Sequence, residues 1–138
     1  MRIGELAMRA GVTVKAVRYY EATGVIHAER SANGYRDYDE AHVGLVREIH
    51  ELGTLGIRVG ETRPFLDCLL AGNGRADDCA DSISTYRAAL VETDERISAL
   101  LARREALSAL LASAEARAEP GCQFAAARPR TPSQQGAS

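Results

Sequence analysis

The most regular pattern of apolar and polar positions lies in the second half of the chain, from about residue 78 to residue 118. Apolar residues recur there every seven positions in two rows, which contain Ile83, Leu90, Ile97 and Leu111 and, three residues later, Tyr86, Leu100, Leu107 and Ala114. Two such rows form a seam that a single helix cannot bury alone. Arg104 and Thr93 interrupt the rows, which favours a specified register over maximal stability.

This seam predicts a homodimer. A helix of roughly 40 residues extends about 60 Å, which is longer than a domain of this size is wide. Such a helix projects from the globular part of the chain, so its natural partner is a second copy of itself. The alternative is a long helix that folds back on its own domain. We expect the dimerisation surface to contain Ile83, Tyr86, Leu90, Ile97, Leu100, Leu107 and Leu111.

Periodicity near the start of the chain predicts two short helices. One apolar stripe, at i, i+3, i+4 and i+7, is formed by Ile3, Leu6, Ala7 and Ala10. Gly11 ends that helix, and Thr13 is a good N-cap for a second one, which ends near Gly24. Two short helices joined by a tight, glycine-containing turn make a helix-turn-helix.

The second helix carries a basic face. Lys15, Arg18 and Tyr19 share one side at i, i+3 and i+4. Such a face suits the DNA major groove, where the cations meet phosphate or guanine and the phenol meets phosphate. Thr13, at the helix N-terminus, is placed to touch phosphate as well. An ordinary solvated basic face is the alternative.

The next segment predicts a β-hairpin. Asn33-Gly34 is a strong turn signal, and its flanks contain β-formers. A hairpin after a helix-turn-helix is a wing, and we expect this one to hold DNA through Arg30, Tyr35, Arg36 and Tyr38. The alternative is a simple surface turn.

Four segments carry a family resemblance: residues 1–7 (MRIGELA), 11–21 (GVTVKAVRYYE), 24–26 (GVI) and 33–38 (NGYRDY). They closely resemble the mercury-resistance-regulator (MerR) family of transcription regulators, and the order of elements matches over about residues 1–118. The resemblance implies a mainly α fold with an N-terminal winged helix-turn-helix, a linking helix pair and a long C-terminal dimerisation helix. It also implies that the long helices pair as an antiparallel coiled coil.

The resemblance further implies a mechanism. Such regulators sit on promoters whose −35 and −10 elements are too far apart, and the activated dimer bends and untwists the DNA between them so that RNA polymerase engages both. The expected partners are therefore double-stranded DNA with a pseudo-palindromic operator, a second copy of the chain, and RNA polymerase.

Length and patterning predict three regions. Residues 1–75 form the DNA-binding domain with its linking helices, over about 39–52 and 59–71, and Pro64 predicts a kink or a late start in the second helix. Residues 76–118 form the coiled coil after a joint at 71–78. Residues 119–138 form a short loop and a disordered tail, because their composition cannot build a core.

The net charge of −2 conceals an asymmetry. Residues 1–36 carry six basic and three acidic side chains, a net +3, whereas residues 67–95 carry two basic and seven acidic ones, a net −5. A basic front on an acidic protein indicates a polyanion bound at one end. No apolar run approaches the about 20 residues of a membrane span, and the N-terminus has no signal-peptide pattern, so we expect a cytoplasmic protein with no membrane partner.

The three cysteines are the candidate residues for thiol chemistry or metal binding. In a cytoplasmic protein Cys68, Cys79 and Cys122 are expected to be thiols rather than a disulfide framework. Cys68, among apolar neighbours, suits a small buried hydrophobe. Cys79 lies near the start of the long helix, which favours a thiolate, although Asp77 and Asp78 oppose that effect.

The resemblance implies a metal site at these positions. Cys79 resembles the helix-start cysteine of the family's metal sensors, and Cys122 resembles the second cysteine of their post-helix loop, but the first loop cysteine is missing. Antiparallel pairing would bring Cys79 close to Cys122 of a second copy, and two thiolates suit a soft ion such as Cu(I) or Hg(II). The alternatives are a redox sensor built from Cys68 and Cys79, an organic ligand, a partner protein, or no effector.

The sequence shows no recognisable arrangement of catalytic residues. His27, His42 and His50 are scattered, and the chain has neither a glycine-rich phosphate loop nor a Cys-x-x-Cys pair, so the sequence does not indicate an enzyme. Two other classes remain open. One is an architectural DNA-binding protein without an effector, and the other is a coiled-coil interaction protein that never binds DNA.

Overall fold

Helices account for most of the computed structural model, which describes residues 1–118. The order is α1 (Ile3–Ala10), α2 (Val14–Ala22), β1 (Glu29–Arg30), β2 (Arg36–Asp37), α3 (Glu40–Thr54), α4 (Arg63–Leu70) and α5 (Ala80–Arg117), with a 3-10 turn at Val59–Glu61. These described residues form two compact units, which divide between Thr93 and Asp94. None of the helices within residues 1–118 is long and apolar enough to cross a membrane.

The helix-turn-helix is confirmed, and local signals explain its geometry. Gly11 ends α1 in the left-handed region, at φ 76°, where a side chain would be strained. The Val12 amide then donates to the Ala7 carbonyl at 2.9 Å, which closes the turn. Thr13 caps α2, because its Oγ1 accepts a hydrogen bond from the Ala16 amide at 3.1 Å.

The predicted wing is also confirmed. Strands β1 and β2 pair antiparallel, with Arg30 opposite Arg36. The Ser31 amide donates to the Tyr35 carbonyl at 2.8 Å, and Gly34 takes φ 79° in the turn. Each strand has only two residues, so the hairpin depends on contacts at its base, where the Tyr38 amide donates to the Met1 carbonyl at 3.0 Å.

One apolar cluster fixes the orientation of α2. Leu6 of α1, Val17 of α2 and Val46 of α3 are fully buried within it. Burial of Val17 and Tyr20 leaves the opposite side of α2 facing outward. The core thereby decides which side chains of α2 are available to a partner.

A second apolar cluster lies where α4 meets the start of α5. It contains Leu52, Ile57, Phe65 and Ala76. The Tyr86 ring packs against it, with its centroid 5.0 Å from that of Phe65. Pro64 lies in the first turn of α4, so the predicted late start of this helix is observed. The first turns of α5 therefore rest on their own chain.

Residues 71–78, expected to be a joint before the long helix, form a hydrogen-bonded loop. Gly72 ends α4 at φ 87°, and its amide donates to the Leu69 carbonyl at 3.0 Å. The Arg75 amide donates to Asp78 Oδ2 at 3.1 Å. The buried Ser82 hydroxyl donates to the Ala76 carbonyl at 2.7 Å. These bonds give the loop a defined conformation.

Candidate nucleic-acid interface

The outward side of α2 presents the predicted basic face. Lys15, Arg18 and Tyr19 are all exposed, and the Tyr19 ring is 56% accessible. Thr13 is exposed at the start of the same helix, where its hydroxyl oxygen is occupied by the cap. The four side chains thus share one helix and are available to an external partner.

The wing adds further cations to this surface. A groove of about 440 Å³ between α2 and the hairpin is lined by Arg18, Glu21, Arg30 and Arg36, together with Ala22, Ile26, His27 and Ala28. Arg36 Nε lies 3.5 Å from Glu21 Oε1, and the carboxylate is largely buried. This ion pair directs the Arg36 side chain toward the groove.

Arg2 completes the surface and was missed by the sequence analysis. Its guanidinium stacks on the Tyr35 ring, with the guanidinium carbon 4.1 Å from the ring centroid. Both residues line a second groove with Arg18 and Arg36. The only sequence signal for Arg2 was its contribution to the positive charge of the first 36 residues, because it lies outside the helical periodicity.

Tyr38 corrects one expectation. The ring is only 2% exposed, so the prediction that it contacts DNA is wrong. It packs edge-on against His42, with the ring centroids 5.5 Å apart. Burial raises the pKa of Tyr38 to about 12, and the nearby Glu21 carboxylate adds to the effect. Tyr38 therefore anchors the base of the wing instead of facing a partner.

The cysteines differ from the expected thiols. Cys68 in α4 and Cys79, the residue before α5, are joined by a disulfide with their Cα atoms 6.0 Å apart. Cys68 is 2% exposed, so its predicted burial is observed, whereas Cys79 is half-buried. The expectation of free thiols failed for this pair because the loop reverses the chain and brings the two positions together. Cys122 lies outside the described residues.

The described part of the chain does not by itself fit a metal centre. Residues 1–118 contain no cluster of three or more histidine, cysteine, aspartate or glutamate side chains that could hold an ion. The sulfurs of Cys68 and Cys79 are also bonded to each other.

Apolar side chains remain exposed along α5. Six of the seven predicted dimerisation residues are exposed: Ile83, Leu90, Ile97, Leu100, Leu107 and Leu111. Val91, Leu101 and Leu110 extend the exposed apolar surface beyond the two predicted rows. Tyr86 differs, since it lies against Phe65 in its own chain. The first turns of α5 therefore pack against their own domain, as the alternative prediction of a folded-back helix stated.

A winged helix-turn-helix whose exposed face gathers arginines, a lysine and tyrosines defines a DNA-binding transcription regulator. Residues 1–67 match the family model described as MerR HTH family regulatory protein. The chain is 36% identical over 122 residues to the HTH-type transcriptional regulator HmrR of Rhizobium leguminosarum bv. viciae. The aligned residues cover 88% of this chain and 92% of that protein.

Two further similarities concern metal-related regulators. The mercuric resistance operon regulatory protein of Bacillus cereus is 35% identical over 81 residues, which cover 58% of this chain and 61% of that protein. The crystal structure of the transcription regulator PbrR691 from Ralstonia metallidurans CH34 in complex with lead(II) superposes with a TM-score of 0.68 at 26% identity, covering 82% of this chain and 86% of that one. The chain belongs to the MerR family of transcription regulators.

Proposed function

We propose that this regulator acts in the cytoplasm as a homodimer that activates a promoter by distorting the DNA between the −35 and −10 elements. The observation that carries the proposal is the uncovered apolar side of α5, on which Leu100, Leu107 and Leu111 are each at least 57% exposed. Burial of each leucine against a second copy contributes about 1.5 to 3 kcal/mol, which is a strong drive toward pairing. Antiparallel pairing of the α5 helices, as the family resemblance implies, would give the dimer a two-fold axis.

A two-fold dimer requires a pseudo-palindromic operator, because each helix-turn-helix reads one half-site. In the proposed complex α2 enters the major groove with Lys15, Arg18 and Tyr19, and Thr13 contacts phosphate at the helix start. Arg30, Arg36 and Tyr35 of the wing hold the adjacent backbone, and we add Arg2 to this set. The list of proposed DNA contacts therefore excludes Tyr38, which is buried.

Contacts on both arms would offset the energy of bending and untwisting the central DNA, where sequence is read through stiffness and not through base edges. RNA polymerase would then engage both promoter elements of the distorted DNA. We propose that the signal is a thiol-reactive compound or a soft metal acting at the cysteines. The named relatives include a mercuric resistance regulator and a lead(II)-bound structure, which supports that class of signal.

Charge substitutions on α5 test the dimer. Leu100→Glu places a carboxylate on the seam, and Ser98→Glu places the same charge two residues away on the same exposed helix, off the two apolar rows. By analytical ultracentrifugation at micromolar concentration, wild type and Ser98→Glu should sediment as dimers and Leu100→Glu as a monomer. A monomeric wild type, or an equal effect of both substitutions, would overturn the proposed assembly.

DNA binding is tested with the same proteins. A fluorescence titration with a fragment from upstream of the gene, at two salt concentrations, should show tight, salt-sensitive binding by wild type and Ser98→Glu. Leu100→Glu should bind far more weakly, since a monomer grips only one half-site. An in vitro transcription assay then measures activation. Tight binding without any change in transcription would identify an architectural protein instead.

A further inference from the structure

We infer that Cys68 and Cys79 form a reversible dithiol–disulfide effector site, and that it responds to low-molecular-weight disulfides. The inference rests on the proposed function for its output, which is altered binding of the operator. The formation of the bond itself does not depend on that function and is measured separately.

The fold brings the two cysteines into register. A chain reversal at Gly72 leads from the end of α4 to the start of α5, and the Cα atoms of Cys68 and Cys79 lie 6.0 Å apart. Disulfides have Cα separations of about 4.4 to 6.8 Å, so the observed backbone fits the bond. The second apolar cluster places α4 and α5 independently of the sulfurs, through Phe65 and Tyr86.

Polar contacts surround the pair. The Asn73 side-chain amide donates to the Cys68 carbonyl at 2.9 Å and to Cys79 Sγ at 3.5 Å. The Cys79 carbonyl accepts from the amides of Ser82 and Ile83, so Cys79 occupies the N-terminal boundary of α5. Cys79 thus lies at a polar position at the start of α5, and its sulfur is the more accessible of the two.

Exposure sets the order of the reaction. Cys79 is half-buried and accessible to a small molecule, whereas Cys68 is buried. The Cys79 thiolate attacks one sulfur of a small disulfide, forms a mixed disulfide and releases one thiol. The Cys68 thiolate then attacks Cys79 Sγ, and the second thiol leaves. Two protein thiols are thus oxidised by two electrons, the small disulfide is reduced to two thiols, and both protons pass to the products.

The bond links the two parts of the chain that the regulator has to coordinate. Cys68 belongs to α4, whose Leu66 is fully buried in the same cluster as Val17 of α2. Cys79 precedes α5, which carries the proposed dimer seam. Reduction removes the covalent tie across the loop and leaves only noncovalent contacts at the start of α5, among them the Phe65–Tyr86 packing and the Ser82–Ala76 hydrogen bond. The redox state therefore changes how firmly the DNA-binding unit is attached to the dimerisation helix.

Mass spectrometry after alkylation tests the site in the full-length protein. Protein reduced with dithiothreitol and then equilibrated with oxidised glutathione should lose two alkylatable thiols and yield a cross-linked peptide containing Cys68 and Cys79. Excess dithiothreitol should restore both thiols. Cys79→Ser should form no such link, and Cys122→Ser should form it as the wild type does. Failure to form the bond, a bond that resists reduction in the folded protein, or a requirement for Cys122 would overturn the inference.

The output is measured by titration with the upstream DNA in both redox states. The affinity of the wild type should differ by about fivefold or more between the states, which is the lower range of allosteric coupling. Cys68→Ser and Cys79→Ser should bind DNA with one affinity in both buffers, and circular dichroism verifies that they are folded. Equal affinity of oxidised and reduced wild-type dimer refutes the effector site alone. A wild type that neither dimerises nor binds DNA in either state refutes the proposed function instead.

A soft metal is the competing ligand. Addition of Cu(I) or Hg(II) to the reduced protein should not prevent later formation of the Cys68–Cys79 bond once the ion is chelated, and metal-free protein should still respond to oxidised glutathione. A change in DNA affinity that occurs only with the ion, and never with the disulfide, would assign these cysteines to metal binding and overturn the redox assignment.

Discussion

Arg2 and Tyr35 are stacked, with the guanidinium carbon 4.1 Å from the centroid of the ring. A residue that precedes the first helix is thereby held against the residue that precedes β2. Stacking occupies the flat face of the guanidinium and not its N–H edge. Arg2 and Tyr35 line a groove together with Arg18 and Arg36. The arrangement supports the proposal that Arg2 contacts a phosphate on the DNA backbone.

Arg2→Ala should weaken binding of the operator DNA by about tenfold, which corresponds to about 1.4 kcal/mol. It should also reduce the slope of log K against log salt concentration by about one, because one phosphate contact is lost. Fluorescence anisotropy over a series of salt concentrations measures both quantities.

Arg58→Ala is the matched control for the loss of a positive charge. Arg58 is exposed and forms ion pairs with Glu61 and Glu92, and it lines neither groove. Its substitution should change the DNA affinity by less than about twofold, as expected for a surface charge away from the interface. Equal losses for Arg2→Ala and Arg58→Ala would mean that only net charge matters.

Tyr38 should contribute to stability and not to DNA binding. Tyr38→Phe should leave the DNA affinity unchanged within about twofold, and Tyr38→Ala should lower the free energy of unfolding by about 3 kcal/mol, as for other large buried side chains. Because the folded state holds the pKa at about 12, above the ordinary value of 10, the phenol's contribution is complete below pH 10 and is lost as the pH rises toward 12.

The pH dependence provides a second measurement. In a spectrophotometric titration of tyrosinate, Tyr38→Phe should remove a step near pH 12. A titration curve that lacks this step already in the wild type would contradict the raised pKa of Tyr38. A large loss of DNA affinity in Tyr38→Phe would return Tyr38 to the DNA-binding surface.

Local signals explain what the sequence predicted well. Gly11 and Thr13 define the ends of α1 and α2, and Asn33-Gly34 defines the hairpin, because each acts on the backbone within a few residues. The heptads likewise placed α5 within two residues of its observed start and one of its end. These elements could be predicted because their positions depend on nearby residues and not on contacts with distant parts of the chain.

Distant contacts explain what the sequence did not predict. Tyr38 follows a two-residue strand, which is too short for alternation to reveal which side chain is buried. The approach of Cys68 to Cys79 depends on the chain reversal in a loop of irregular sequence. Arg2 lies on the basic surface because the hairpin is hydrogen-bonded to the first residue of the chain. In each case the neighbour comes from another element, so periodicity carries no information about it.

Asp39 should stabilise α3 in a pH-dependent manner. Its Oδ1 accepts from the His42 amide at 3.1 Å as the N-cap of the helix. The hydrogen bond with the His42 side chain is the main reason that the pKa of Asp39 is lowered. A lowered pKa means that the contribution is present above the unfolded-state value of about 4 and is lost as the pH falls below it.

Asp39→Ala should therefore lower the free energy of unfolding by about 1 kcal/mol at pH 7. Asp39→Asn keeps a capping oxygen but no charge, so its stability should lie between those of Asp39→Ala and the wild type at pH 7. The difference from the wild type should disappear as the pH falls through the lowered pKa of Asp39. Urea denaturation at pH 7 and at a series of lower pH values measures this. A constant difference between wild type and Asp39→Asn across the range would contradict the titration.

Tyr86 and Leu90 lie one turn apart on α5, but their substitution should have different effects, one on folding stability and the other on dimer affinity. Tyr86 packs on Phe65 and donates from its hydroxyl to Asp77 Oδ2 at 3.3 Å, so Tyr86→Ala should lower the free energy of unfolding by about 2 kcal/mol. Leu90 is 63% exposed, and its burial is proposed to occur only in the dimer. Leu90→Ala should raise the dimer dissociation constant roughly a hundredfold, since two side chains are lost.

The two measurements separate these roles. Sedimentation over a dilution series should show Tyr86→Ala dimerising almost as the wild type does and Leu90→Ala dissociating at much higher concentration. Urea denaturation at one high protein concentration, where all variants are paired, should order the stabilities with Tyr86→Ala lowest. If Tyr86→Ala instead dissociated the dimer as strongly as Leu90→Ala and lost no stability, the seam would begin one turn earlier and the Phe65 contact would be incidental.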